Sequence, residues 1–312
     1  MKKTIIWIVI IFFLVLVVGI ILGSLITTEQ LETNEYEIKD NFKDIKITTD
    51  TADIMFVTSE QSNGLVVCDE QKNTNHLVEV KENTLFIDVT DNRKWYEHIG
   101  INFSTSKITI YLPKNEYGEL LIESSTGDIN IPKNFKFESI DILEDTGNIT
   151  NYASVYKNIK AKTSTGNIHI QNVFANIIDL STSTGKVDII DVNCSDDIKI
   201  NVSTGKTNIV NTNCKNLLSK GSTGNISLKN VIATEKFSIE RSTGDVKFKY
   251  SDASDIFVKT DTGNVTGSLL TDKVFFVETD TGNIDIPKVI ADEKCEVITD
   301  TGDIKITTGI KN

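Results

Sequence analysis

A Thr-Gly dipeptide recurs ten times along the 312-residue chain, with its glycine at Gly127, Gly147, Gly166, Gly185, Gly205, Gly224, Gly244, Gly263, Gly282 and Gly302. Every interval is 19 or 20 residues. A unit this short cannot bury a core alone, so a fixed period of this kind restricts the chain to architectures in which like units stack and share one.

The pattern inside each unit says what stacks. Two residues after the glycine stand aliphatic residues such as Ile129, Ile168, Val187 and Ile304, with Thr207 the one polar member. Four after it come Ile131, Ile170, Ile189, Leu228 and Phe248, with Asn151 and Gly267 as exceptions. Seven and five before it lie a second pair of rows, exemplified by Ile140 and Ile142, Ile178 and Leu180, and Ile256 and Val258. Alternation with period 2 is the signature of a strand with one buried face. Two short strands per unit, repeated, predict an all-β, single-stranded parallel β-solenoid of about 19–20 residues per coil. At roughly 4.8 Å per coil, ten coils span about 48 Å. The glycine marks a corner that needs positive φ or close backbone approach.

Residues 29–118 lack the Thr-Gly mark but keep strand patterns, as in Ile45-Lys46-Ile47, Leu85-Phe86-Ile87 and Ile108-Thr109-Ile110. Asp50-Thr51-Ala52-Asp53-Ile54 reads as a degenerate corner. This region is expected to form an irregular cap ahead of the regular repeats of residues 119–312, with residues 27–37 as a short tether.

Residues 1–28 differ in kind. After Lys2 and Lys3 an uncharged, apolar run extends from Thr4 to Ile26. As a helix rising about 1.5 Å per residue it is long enough to cross a hydrocarbon core of about 30 Å. It is also longer than the apolar core of a cleaved signal peptide, and Gly23-Ser24-Leu25-Ile26 at its end is a poor A-x-A match. The expectation is one N-terminal transmembrane α-helix, an uncleaved signal-anchor. Lysines on the leading side predict a single-pass cell-membrane protein with a cytoplasmic N-terminus and the bulk of the chain extracytoplasmic. The rest is acidic: without those two lysines, 30 basic residues face 44 acidic ones, a balance of −14. That charge excludes nucleic acid as a partner and keeps a β-rich surface soluble.

The chemistry-bearing residues are mostly absorbed by the repeat. Asp-Thr-Gly at Asp145, Asp261, Asp280 and Asp300 matches the local signature of an aspartic protease, but serine takes the same place in otherwise identical corners such as Ser164 and Ser183. Asp261, Asp280 and Asp300 fall in successive repeats and are the one set to weigh as a Ca²⁺ site; a solvated acidic ridge is the simpler reading. Cys194 and Cys214 occupy a corner held elsewhere by Ala175 and Ala233, close enough in stacked coils to leave a disulfide open. Cys295 replaces a core residue, and Cys68 lies in the cap. His76, His98 and His169 show no ligand spacing, and Trp95-Tyr96 lies in a polar stretch of the cap. No cofactor, no metal and no catalytic residue is expected; the chain reads as a non-enzyme.

The stretch Lys107-Ile-Thr-Ile-Tyr-Leu-Pro-Lys114, followed by Leu120-Leu-Ile-Glu-Ser-Ser-Thr-Gly-Asp-Ile129, resembles the bacterial β-strand-repeat family called putative adhesins. That family is a domain of unknown function with the same S/D-T-G-[DN]-I corner, and the resemblance covers roughly residues 40–310. It implies a cell-surface or cell-envelope binding protein, with no site residues to carry over. The expected function is therefore adhesion or envelope binding and structure, with a wall glycan, a surface protein or a second copy through the terminal coil edge as partner. Some relatives look like envelope proteins encoded beside stress-response regulators, which makes an accessory role in envelope-stress signalling the alternative. A glycan-processing β-helix enzyme is remote, because the outward positions are small, acidic or amide and only Arg93 and Arg241 are arginine.

Overall fold

The computed structural model describes residues 26–27, 31–71, 74–91, 101–102 and 106–309. The anchor expected over Thr4–Ile26, apart from Ile26 itself, and the Trp95-Tyr96 pair lie outside those residues. Among the described residues no helix is long and apolar enough to cross a membrane; Ile26–Thr27 is a short strand paired in parallel with Ile101–Asn102.

The rest is a parallel β-solenoid in one-to-one register. Ile140 lies beside Leu120 on one side and Ile159 on the other; Ile178 then lies beside Ile198, and Leu217 beside Phe237. Each row forecast as inward is buried: Ile159 and Ala161 before Gly166, and Ile168 and Ile170 after it. A third flank completes the coil with Val173 and Ala175, which are also buried. Each fully buried Leu, Ile or Val contributes on the order of 1.5–3 kcal/mol relative to exposure, and the gain exists only because the next coil covers it.

Two corners bend each coil, and both have a chemical reason. At the first, nine of the ten repeat glycines adopt φ between 131° and 158°; Gly282 alone stands outside that set. At the second, six residues further on, the backbone is left-handed at Asn172, Asp191, Asn211 and Asn230, with φ of 50–56°. Asn and Asp tolerate that conformation because their side chains hydrogen-bond locally. Here they also bond between coils, as Asn211 Nδ2 donates to Asp191 Oδ1 at 2.8 Å and Asn230 Nδ2 to Asn211 Oδ1 at 2.9 Å. Tyr250 holds the same place, with φ 51°.

Both ends depart from the expected order. At the start, Asp44–Ser59 supplies a regular coil, with Ile45 between Leu85 and Leu120 and Ile54 between Ile108 and Ile129. The outermost parallel coil is thus built from later residues, Thr84–Asp91 and Ser106–Pro113. Antiparallel strands close this end. Gly64–Gln71 pairs with Ser106–Pro113, Thr74–Lys81 with Thr84–Asp91, and Leu31–Ile38 with Gly64–Gln71. The segment expected to be a tether is therefore part of the cap. Its burial alternates and ends in the buried Ile38, so it is held by pairing and packing.

At the far end, Lys294–Thr301 lies between Asp255–Thr262 and Val274–Thr281. The last coil in sequence is the penultimate coil in space, so the exposed edge belongs to residues 274–286 and not to the C-terminus. Side-chain fit explains the exchange. Cys295, Val297, Thr299, Ile304 and Ile306 fill the inward positions and are buried, whereas Phe275, Val277 and Ile286 remain partly exposed. An ion cluster around a buried ammonium group fixes the crossover: Lys273 Nζ lies 2.6 Å from Asp252 Oδ1 and also contacts Oε2 of the partly exposed Glu293. Lys273 precedes the edge coil and Glu293 precedes the inserted coil, so one ammonium group pins both entry points.

Candidate binding surface

The corner glycines lead into an outward ladder. Where Asn or Asp follows a corner glycine inside the stack, its side-chain oxygen accepts from the backbone of the next coil; Lys186 and Lys206 take that place in two coils. Asp245 N donates to Asn225 Oδ1 at 3.0 Å, and Asn264 N to Asp245 Oδ1 at 2.8 Å. Asp303 N then donates to Asn264 Oδ1, and Asn283 N to Asp303 Oδ1, both at 2.8 Å. The row faces water, yet the side-chain oxygens of Asn225, Asp245, Asn264 and Asp303 are each fixed by a backbone donor. The row is preorganised at coil spacing, and the Asn264 and Asn283 amide groups also donate along it, to Asp245 Oδ1 and Asp303 Oδ1.

Beside this ladder runs a second outward row, two positions on: Ser227, Lys247, Thr266, Lys305 and Asp285. The two rows line a groove of about 720 Å³ that crosses five coils and reaches the open end. Carboxylates, amides, hydroxyls and ammonium groups alternate in it, so it offers donors and acceptors at regular intervals without a strong net charge. A smaller groove of about 410 Å³ lies on another flank, over Gly221 and Arg241. Arg241 is buried, and its Nη2 donates to Ser219 Oγ at 2.8 Å and to Thr207 Oγ1 at 3.3 Å. Desolvation lowers its pKa to about 10.

The groove ends at the uncovered coil. Phe276 is 55% exposed, Ile284 46% and Ile290 fully so. Val274–Thr281 uses one side of its backbone to pair with Lys294–Thr301 and has no described strand on the other. An unpaired edge with apolar side chains is a template for another strand.

The sequence-derived candidates fall into place unequally. Asp261, Asp300 and Asp280 are exposed and stacked in that spatial order, Asp300 in the middle, because the last coil is inserted. Cys194 and Cys214 sit on adjacent coils as free, buried thiols, as are Cys68 and Cys295. Cys194 Sγ donates to Asn176 O at 3.1 Å, and burial pushes the Cys194 and Cys214 thiols up to about 11 and 12. His169 bonds Gln171 at the surface, and His98 lies outside the described residues. His76 is where the reading without ligand spacing fails: the cap folds its ring against Cys68 and Glu70. The pleat explains this, since Cys68 and Glu70 are two residues apart on one strand and so share its inward face.

A parallel solenoid with a glycine corner, an amide-carboxylate ladder and one capped end defines the class of protein. Residues 42–307 match the Toastrack DUF4097 family, and the chain belongs to that family. No curated protein matches the sequence. Among solved structures it is similar to one from Parabacteroides distasonis described as a putative lipid binding protein. That likeness has a TM-score of 0.53 at 18% identity, over 78% of this chain and 99% of the other. It is likewise similar to a protein of Parabacteroides merdae described as a putative adhesin, with a TM-score of 0.52 at 14% identity, over 78% and 98% of the two chains. At such identities the likeness is one of fold.

Proposed function

We propose that this chain is a non-catalytic binding protein of the cell envelope. The apolar segment ahead of residue 27 anchors it in the membrane with its N-terminus in the cytoplasm, and the solenoid stands outside. The observation that carries this reading is the groove over Asn225–Lys305. It repeats one polar chemistry from coil to coil and does not converge unlike groups on one point. Repetition at about 4.8 Å suits a ligand that is itself repetitive and rich in hydroxyl or amide groups, as a wall glycan is, and has no obvious use in breaking one bond. The uncovered coil beside it suits a second copy of the chain, whose own edge would continue the sheet.

The test uses the full-length chain in lipid nanodiscs, sedimented with isolated cell wall. Saturable co-sedimentation is expected, and Lys247→Glu with Lys305→Glu should weaken it about tenfold. Equal retention of the wild type and the double variant would remove the groove from the proposal. Self-association is read separately by analytical ultracentrifugation of the detergent-solubilised chain. The double change Phe276→Lys and Ile284→Lys should shift the oligomer to monomer, and a wild type monomeric at all concentrations would refute that part.

A further inference from the structure

We propose that Cys68, Glu70 and His76 form a binding site for a divalent transition-metal ion of zinc type, which ties together the two sheets of the solenoid at its capped end. The three side chains present one sulfur, one oxygen and one nitrogen, all within 4.8 Å of one another and all buried. Cys68 and Glu70 come from Gly64–Gln71, which extends the sheet ending in Ser106–Pro113. His76 comes from Thr74–Lys81, which extends the other sheet through Thr84–Asp91.

The histidine carries the argument. Its Nε2 lies 2.9 Å from Thr49 Oγ1, a hydroxyl of the adjacent coil. If Nε2–H donates to that hydroxyl, the tautomer is fixed and the lone pair is left on Nδ1. Nδ1 is buried, has no hydrogen-bond partner and points at Glu70 Oε1, 3.5 Å away. An imidazole held by an outer hydrogen bond, with its free nitrogen aimed at a thiol and a carboxylate, has the arrangement that metal-ligating histidines adopt.

Charge balance points the same way. The Glu70 carboxylate is buried and accepts the His76 backbone N–H, at 3.2 Å from each oxygen. Among the described residues no lysine or arginine forms an ion pair with it. A divalent ion would bind one carboxylate, one neutral imidazole and one thiolate, the Cys68 S–H proton leaving to solvent as the metal–sulfur bond forms. Two positive and two negative charges then cancel in a water-poor pocket, where an unpaired charge is expensive. A mixed sulfur, nitrogen and oxygen set favours zinc over calcium or magnesium. Three protein ligands leave a fourth position for water.

The test is metal binding by the full-length, detergent-solubilised chain, chelator-treated and then titrated with Zn²⁺ alone or Co²⁺ alone. One ion per chain is expected, with a thiolate-to-cobalt charge-transfer band and proton release on binding. Cys68→Ser should abolish the band and weaken binding at least about a hundredfold, whereas Cys295→Ser, at the other end of the core, should change neither. Thr49→Val leaves all three ligands in place and should weaken binding about tenfold through loss of the outer hydrogen bond. It keeps the question open to test even if Cys68→Ser fails to fold. Failure to retain zinc at micromolar concentration, or a cobalt complex without a thiolate band, would overturn the site.

Discussion

The ammonium group of Lys273 sits 2.6 Å from Asp252 Oδ1 with none of its side chain exposed, and so pins the start of the edge coil to the end of a coil two repeats earlier. Glu293 shares the same ammonium and is held below the ordinary carboxylate range by it. Removing the cation strands two carboxylates against each other. Lys273→Met should therefore destabilise the chain by about 3 kcal/mol in urea. Because the cluster secures the crossover, hydrogen exchange should lose protection over residues 274–286 first. A variant with wild-type stability and protection would mean the crossover is set elsewhere.

Gly166 and Gly147 make a backbone contact that no other residue permits. A β-carbon at 166 would lie 1.8 Å from Gly147 O, and φ there is 154°. Gly166→Ala must separate two coils in the middle of the stack. The expected loss exceeds about 3 kcal/mol, well above the ~1 kcal/mol of an ordinary glycine-to-alanine strain, because the clash is with backbone. Alanine at Gly309, where nothing lies within 4 Å, is the control and should cost far less. Thermal unfolding of the two variants makes the comparison.

These two cases also mark what could be read from sequence. The glycine column and the inward rows are legible because a local period reports which side a residue faces. Coil order at the ends is not local: two rungs with the same pattern can exchange places, and Lys273 looks like any surface lysine until Asp252 and Glu293 are seen around it. The second corner left a signal that spacing alone could have found, Asn or Asp six residues after Gly166, Gly185, Gly205 and Gly224. The cap cluster left almost none, since Cys68 and His76 stand on antiparallel cap strands that no repeat announces.

Tyr250 stands where that second ladder calls for asparagine. It adopts φ 51° and is half exposed, with Lys249 Nζ 5.9 Å from the ring centre as its described aromatic contact. The left-handed region costs a bulky residue about 1 kcal/mol that asparagine largely avoids. An amide at 250 would also reach the Asn230 side chain, as Asn230 reaches Asn211. Tyr250→Asn should stabilise the chain by about 1 kcal/mol and raise Tm. An unchanged or lower Tm would show that the ring's surface contacts outweigh the strain.

Glu144 occupies an inward row that Thr163, Thr182, Thr260 and Thr299 fill elsewhere, each donating its hydroxyl to a glycine carbonyl of the neighbouring coil. Its carboxylate is fully buried and neither oxygen has a hydrogen-bond partner, so desolvation, helped by the charges of Asp145 and Asp128, raises its pKa to about 7. The unfolded chain releases this proton near 4.5, the ordinary glutamate value. Between about pH 4.5 and pH 7 the folded chain holds more protons than the unfolded one, and stability must fall as pH rises through that window. The fall should be on the order of 3 kcal/mol and level off above pH 7, where both states are ionised. Subtracting urea-unfolding free energies of Glu144→Gln from those of the wild type, pH by pH, isolates this group from every other carboxylate. Glu144→Thr should go further, removing the slope and supplying the hydroxyl that Gly127 O lacks, so that its advantage over wild type is largest at pH 8. A pH-independent difference between wild type and Glu144→Gln would mean that the carboxyl group finds water or a partner within the coil.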